Sequence, residues 1–295
     1  MNKNKYNFVF FGTDKFSTIV LERLKLAGFI PQIVVCAPDK PSGRGQQIQK
    51  PESKIWAEEN SISVLQPEKL NDDFVGELKK INWDFFVVAS YGKIIPKTVI
   101  DLPGFGSLNV HPSLLPKFRG ASPIESAILA DEKETGVTIM LVDAEMDHGP
   151  ILNKEIVKFD EWPAKIVVEN KLAEIGGDML AKTITGFISG DIKPEEQNHN
   201  DATFTKKITK EDGEISFSAN INGEPKEVQY KKFLKIQALN PWPGVYFFIK
   251  HGEKEIRVKI TAANFNNEKL EIEKVIPEGR KEMSYNDFEK GFLKN

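Results

Sequence analysis

Cysteine is almost missing: Cys36 is the only one in 295 residues. A lone thiol cannot close an internal disulfide, which excludes a disulfide-stapled scaffold, and Cys36 sits in an apolar strand-like run where a buried small hydrophobe is expected. Histidine is scarce as well. His111, His148, His199 and His251 offer no recognisable ligand spacing with that cysteine, so no metal is expected. Long apolar runs are absent: Phe8 to Phe11 and Phe85 to Ala89 fall far short of the ~20 residues that span a bilayer. Lys3 and Lys5 precede no apolar h-region, so no secretory signal is expected, and a cytoplasmic protein without membrane contact fits. A monomer is expected, although no residue pattern here marks the oligomeric state. There is no G-x-G-x-x-G turn after the first strand and no Walker loop, which weakens nucleotide-binding readings. No G-x-S-x-G elbow surrounds Ser113, which argues against a serine nucleophile there. Internal repeats and low-complexity tracts are also lacking.

What remains is ordinary for a globular chain: 40% hydrophobic and 28% charged residues. The net charge of −3 argues against a protein that coats nucleic acid generally. It is uneven, however. From Lys206 onward the chain carries 17 Lys and Arg against 14 Asp and Glu, a net +3, and the preceding residues carry −6. A mildly basic tail is compatible with RNA contact.

The length allows two domains. Tyr6 to Phe11 is an apolar run ending in Gly12-Thr13-Asp14, and Phe16 to Leu26 shows helical spacing. That is the strand–turn–helix opening of a parallel α/β sheet. Ile33 to Ala37, Ser63 to Leu65 and Phe85 to Ala89 read as further strands, with helices at Glu52 to Glu59 and Phe74 to Ile81. Ile151 to Phe159 is expected antiparallel to a β-branched strand from Val137 to Val142, and a long helix follows from Pro163 to Ile188. The polar stretch 191–207 reads as a linker between a domain over 1–190 and a second over 208–295. The second shows short strands at Ile215 to Phe217, Gly244 to Ile249, Ile256 to Thr261 and Leu270 to Ile276, with a helix near Val228 to Ala238. A five-stranded barrel of oligonucleotide-binding type is expected, with the Trp242 indole packed in the turn before Gly244.

Chemistry concentrates between Ser107 and Leu152. If Gly106-Ser107-Leu108 leads a strand, Asn109 and His111 share one of its faces. An amide donor and an imidazole at a strand exit suit acyl transfer, and Asp147, beyond the Val137 strand, can reach the same cleft. The spacing alone equally fits a structural histidine and a turn-forming aspartate.

The segment Asn109-Val110-His111-Pro112-Ser113-Leu114-Leu115-Pro116, followed by Asp147-His148-Gly149-Pro150, resembles the signature of the 10-formyltetrahydrofolate-dependent formyltransferases. Over its whole length, including Ala202 to Ile208 and Pro277 to Tyr285, the chain is similar to the methionyl-tRNA formyltransferase family. The resemblance implies a doubly wound Rossmann-like catalytic domain followed by a barrel-like, tRNA-contacting domain. It also implies Asn109, His111 and Asp147 as the catalytic set, Ser113, Leu114, Leu115 and Pro116 along a folate site, and Phe11-Gly12-Thr13 near the acceptor. The implied co-substrate is 10-formyltetrahydrofolate and the implied partner is initiator Met-tRNA, formylated for translation initiation. Related enzymes with the same trio act on glycinamide ribonucleotide or amino-sugar nucleotides, so the acceptor rests on other residues. The loop from Ala37 to Pro51 holds Lys40, Arg44 and Lys50 against one Asp39 and resembles the tRNA-facing insertion of that family; by charge alone it equally fits a basic surface loop. Departures include Pro112 where the family commonly has glycine, and Gln237 where an arginine is usual.

Overall fold

The computed structural model describes residues 6–42, 47–217 and 223–293. In chain order the first part comprises β1 (Phe8–Phe11), α1 (Lys15–Leu26), β2 (Ile33–Val35), β3 (Lys40–Ser42), β4 (Gln47–Gln49), α2 (Glu52–Glu59), β5 (Ser63–Leu65), α3 (Asp72–Leu78), β6 (Phe85–Val88) and α4 (Lys97–Ile100). Next come β7 (Ser107–His111), β8 (Arg119–Gly120), α5 (Pro123–Leu129), β9 (Glu134–Leu141), β10 (Ile151–Lys158), α6 (Lys165–Ser189) and β11 (Phe204–Thr205). The last part holds α7 (Lys226–Leu239), β12 (Val245–His251), β13 (Lys254–Asn266), β14 (Lys269–Pro277), β15 (Met283–Ser284) and α8 (Tyr285–Phe288).

The main sheet runs β10-β9-β7-β6-β1-β2-β5. From β5 to β7 all neighbours are parallel, and β9 and β10 add an antiparallel edge. The chain winds outward from β1 to β2 and β5, then returns to the other side of β1 through β6 and β7. This reversal is the doubly wound pattern, and it opens a crevice at the carboxyl ends of β1 and β6. Both faces of β1 are covered, which is why Phe8, Val9, Phe10 and Phe11 are all buried. Phe8 stacks on Phe85 with centroids 4.8 Å apart, and Phe11 meets Phe86 and Tyr91, each at 5.5 Å. These aromatic pairs hold β1 against β6 and the segment that follows it.

Local sequence explains the helix starts. Asp14 caps α1 by accepting from the Ser17 amide at 3.2 Å, and Arg23 and Lys25 complement its carboxyl end. Asn71 caps α3 through the Phe74 amide, so that helix begins two residues before the apolar spacing suggests.

Cys36 leaves β2 fully buried, and burial pushes its thiol up to about 11. At pH 8 the native thiol should therefore alkylate on the order of a hundredfold slower than in the unfolded chain. Mass-spectrometric timing of iodoacetamide uptake checks this, and rapid native labelling would contradict the burial.

Two compact units emerge. One contains residues 1–120, 134–158 and 169–204, and therefore the whole main sheet. The other contains 121–133, 159–168 and 205–295. The boundary expected at 191–207 thus has a different form. Residues 191–204 are bonded into the first unit, through the reciprocal amide–carbonyl pair of Ile151 and Glu195 (2.7 and 2.8 Å) and through Thr203. Two excursions, 121–133 and 159–168, belong with the second unit instead; in the first of them α5 packs on α7, and Asp131 accepts from Tyr230 Oη at 3.0 Å. The second unit's sheet runs β12-β13-β14-β15, antiparallel throughout, and α7 packs on β13 and β14. Among the described residues that sheet has four strands rather than the five expected. Residues 215–217 do not form a strand, because a single bridge from Glu214 to Tyr246 is the only pairing there among the described residues. Trp242 was expected to pack, yet it is half exposed on the turn.

Candidate active site

β7 lies between β6 and β9, pairing Asn109 with Val88 and Met140, and His111 with Thr138. Two residues apart on one strand, Asn109 and His111 face the same way. Asp147 arrives from the connection between β9 and β10. Its Oδ1 lies 3.4 Å from Asn109 Nδ2 and 3.6 Å from His111 Nδ1. The three residues expected from sequence are therefore together at the end of β7, on the edge where β1 and β6 also finish.

His111 is 4% exposed, and its Nε2 lies 3.1 Å from the Phe118 carbonyl. A carbonyl can only accept, so Nε2 carries the hydrogen and Nδ1 faces Asp147. At 3.6 Å the Nδ1–Oδ1 distance is too long for a good direct hydrogen bond. The opening suits a shared proton from a third group. Asp147's other oxygen, Oδ2, accepts the Gly120 amide at 2.7 Å.

The turn that presents Asp147 is tightly built. Asp147 has φ +50°, an unusual value for a residue with a side chain. Leu141 and Pro150 are joined by an amide–carbonyl bond of 2.9 Å, and Gly149 lies so close to β9 that a Cβ there would sit 2.1 Å from the Leu141 carbonyl oxygen. Only glycine fits this approach. Gln197 donates from Nε2 to the carbonyls of Asp147 (2.9 Å) and Gly149 (2.8 Å), and Arg119 donates to Gln197 in turn. Neither Gln197 nor Arg119 was expected from the sequence. Their contacts bridge separations of 48 to 78 residues, and no local periodicity signals such a bond.

The stretch 113–116 follows directly. Ser113 is 0% exposed, and its Oγ donates to the Lys117 carbonyl at 2.7 Å. Leu115 is buried with Met140 and Ile151, and its amide donates to Thr138 Oγ1. Leu114 and Pro116 are half-buried. The Ser113 hydroxyl is thus committed to a structural bond and the side chain is enclosed. Thr13, at the end of β1, donates its amide to the Ser90 carbonyl at 3.2 Å, closing the crevice floor beside β6.

The basic loop resolves into the β3–β4 hairpin. Lys40 is exposed. Lys50 pairs with Glu58 at 2.7 Å, and that bond raises its ammonium pKa. Asp39 pairs with Lys54 and Gln66 rather than with the hairpin's own cations, and their hydrogen bonds lower its pKa. Arg44 lies outside the described residues. Among the described residues, no group of three or more His, Cys, Asp or Glu is placed to hold a metal ion.

The family model described as "Formyl transferase" matches residues 6–184, more than half of the chain. The chain belongs to the formyl transferase family. A curated relative, "Methionyl-tRNA formyltransferase" of Caldanaerobacter subterraneus subsp. tengcongensis, is 39% identical over 262 residues, covering 88% of this chain and 82% of that protein. Among solved structures, "Methionyl-tRNA formyltransferase from Clostridium thermocellum" matches with a TM-score of 0.58 at 17% identity, over 92% of this chain and 98% of that one. A sugar N-formyltransferase from a Shewanella species matches with a TM-score of 0.62 at 16% identity, over 87% and 97%. At those identities the structural matches speak for the fold alone. They show a shared fold over most of the chain and say nothing of the acceptor.

Proposed function

We propose that this chain transfers the formyl group of 10-formyltetrahydrofolate to the amino group of methionine on initiator Met-tRNA. The observation that carries the chemistry is the convergence of Asn109 Nδ2 and His111 Nδ1 on Asp147 Oδ1. The acceptor follows from the relative at 39% identity, which spans 88% of the chain.

In this reading the methionine nitrogen attacks the formyl carbon, forming the new C–N bond and driving negative charge onto the formyl oxygen. Asn109 has two N–H hydrogens, one toward Asp147 and one left for that oxygen. A preorganised donor aimed at developing charge is the largest single contribution such a site can make. Attack leaves a proton in excess on the nitrogen, and the gap between Asp147 Oδ1 and His111 Nδ1 receives it. The same proton passes to N10 of the folate as the old C–N bond breaks. The stretch 113–116 forms part of the donor's wall, with Leu114 and Pro116 as its accessible side chains and Ser113 and Leu115 supporting them from within.

Affinity for RNA in a chain of net charge −3 has to come from local cations. Lys40 on β3 and Arg44, four residues further along the sequence, are the first source, Lys50 contributes from its pair with Glu58, and the +3 surplus from Lys206 onward is the second. Arginine can fork to phosphate oxygens or stack on an unpaired base. Arg44→Ala should therefore raise the KM for Met-tRNA without changing folate affinity, and lower the slope of log affinity against log salt by ~1 unit if the contact is to phosphate. Titrations at several salt concentrations check both.

The reading is tested by offering the purified chain and 10-formyltetrahydrofolate three acceptors: Met-charged initiator tRNA, free methionine and an amino-sugar nucleotide. Formylation of the charged tRNA alone is expected. Preferential formylation of the sugar nucleotide would move the chain to the small-molecule branch of its family.

A further inference from the structure

Gln197 lies 50 residues beyond Asp147, in a stretch whose composition is that of a surface linker, yet it is 5% exposed. Its two Nε2 hydrogens go to the Asp147 and Gly149 carbonyls, and its Oε1 accepts from Arg119 Nε at 3.2 Å and Nη2 at 2.7 Å. A primary amide has two donor hydrogens and two acceptor lone pairs, so every capacity is filled. The orientation is also fixed. A flipped amide would set N–H against a guanidinium and oxygen against two carbonyls.

Arg119 is 3% exposed. Besides Gln197, its Nη2 donates to His199 Nδ1 at 2.9 Å, and since a guanidinium cannot accept, His199 carries its own hydrogen on Nε2. The next residue, Gly120, gives its amide to Asp147 Oδ2 at 2.7 Å. The dipeptide Arg119-Gly120 therefore grips Asp147 twice: directly at the carboxylate, and through Gln197 at the main chain. Asp147 needs such a grip. Its φ of +50° is a conformation that a residue with a Cβ holds only where its surroundings over-determine it.

We propose that Gln197, oriented by Arg119, is a positioning residue for the reaction: it fixes the left-handed turn at Asp147 and so aims the carboxylate at Asn109 and His111. This rests on the acyl-transfer reading of the site. Gln197 touches no reacting atom in it, and its effect is transmitted entirely through Asp147.

The test is a double-mutant cycle on the full chain, with formyl transfer to Met-tRNA as the readout. Gln197→Glu keeps the shape and can still pair with Arg119, but its carboxylate faces the two carbonyls with no hydrogen to offer. Its kcat is expected to fall roughly 10- to 100-fold, with the KM for the formyl donor within about threefold, because a misplacement of about 1 Å is sufficient for such a loss. In an Asp147→Asn background, measured in single turnover, the same substitution should cost less than about twofold, since the two residues act as one unit. Gln197→Met, which keeps the volume and removes all four bonds, should repeat the pattern. Equal losses in both backgrounds would overturn the inference and leave the site reading standing, as would wild-type kcat in either folded Gln197 variant. Failure of both variants to fold, seen by circular dichroism, would make Gln197 a structural residue and likewise overturn it. Wild-type turnover in Asp147→Asn alone would remove the site reading, and this inference with it.

Discussion

Asn109→Ala should lower the turnover of formyl transfer by ~10²–10³, which is ~3–4 kcal/mol of transition-state stabilisation, while the fold and the affinity for the formyl donor change little. The amide is half-buried on β7 beside Asp147, so truncation removes one donor without opening the core. A donor whose bond strengthens only as charge develops affects kcat rather than KM. Asp147→Asn should cost a comparable amount for a different reason. The Gly120 amide requires an acceptor at Oδ2, so the new side chain must turn its oxygen there and its NH2 group toward Asn109 Nδ2 and His111 Nδ1. The proton acceptor becomes a donor that opposes the Asn109 donor and occupies the His111 Nδ1 lone pair. Steady-state kinetics with circular dichroism on each variant separates this from misfolding. Wild-type kcat in either folded variant would end the assignment.

The second large effect is expected at Gly149. A Cβ there would lie 2.1 Å from the Leu141 carbonyl oxygen and 3.1 Å from its carbon. The obstacle is backbone in β9, not a side chain that could rotate away. Gly149→Ala must therefore push the 142–150 turn off the sheet edge. The bond between Leu141 and Pro150 and the bond from Gln197 to the Gly149 carbonyl lie in the path of that movement. Overpacking of this kind costs about 2–3 kcal/mol, and thermal unfolding should register it as a fall of several degrees. Turnover should fall in parallel because Asp147 sits two residues away on the same turn. A variant of unchanged Tm and turnover would show that the turn does not lie as tightly against β9 as these distances require.

The elements that local sequence encodes were legible. β1, β2, β6 and β9 are continuous apolar or β-branched runs because they are buried on both faces, and Asn109 and His111 stand out as polar residues at the one strand exit that interrupts the pattern. Asp147 was legible through its Asp-His-Gly-Pro turn. What escaped the sequence reading depends on partners distant in the chain. Gln197 and Arg119 form bonds across 48 to 80 residues, and a polar stretch such as 191–207 reads as a linker whether it lies free or is stitched to β10. The β3–β4 hairpin was missed for another reason. Its single apolar residue between the turns, Ile48, is exposed, so no period-two burial marks it. Likewise α5 has an ordinary apolar face, and nothing in that face says it packs on α7 rather than on the main sheet.

The most direct test of the Asn109–His111–Asp147 site is a crystal structure of the chain with a stable formyl-folate analogue bound. The expected result places the formyl oxygen ~3 Å from Asn109 Nδ2, with the formyl carbon open to the gap between Asp147 Oδ1 and His111 Nδ1. An analogue bound with its formyl group more than ~6 Å from all three side chains, beyond any direct hydrogen bond, would contradict the site.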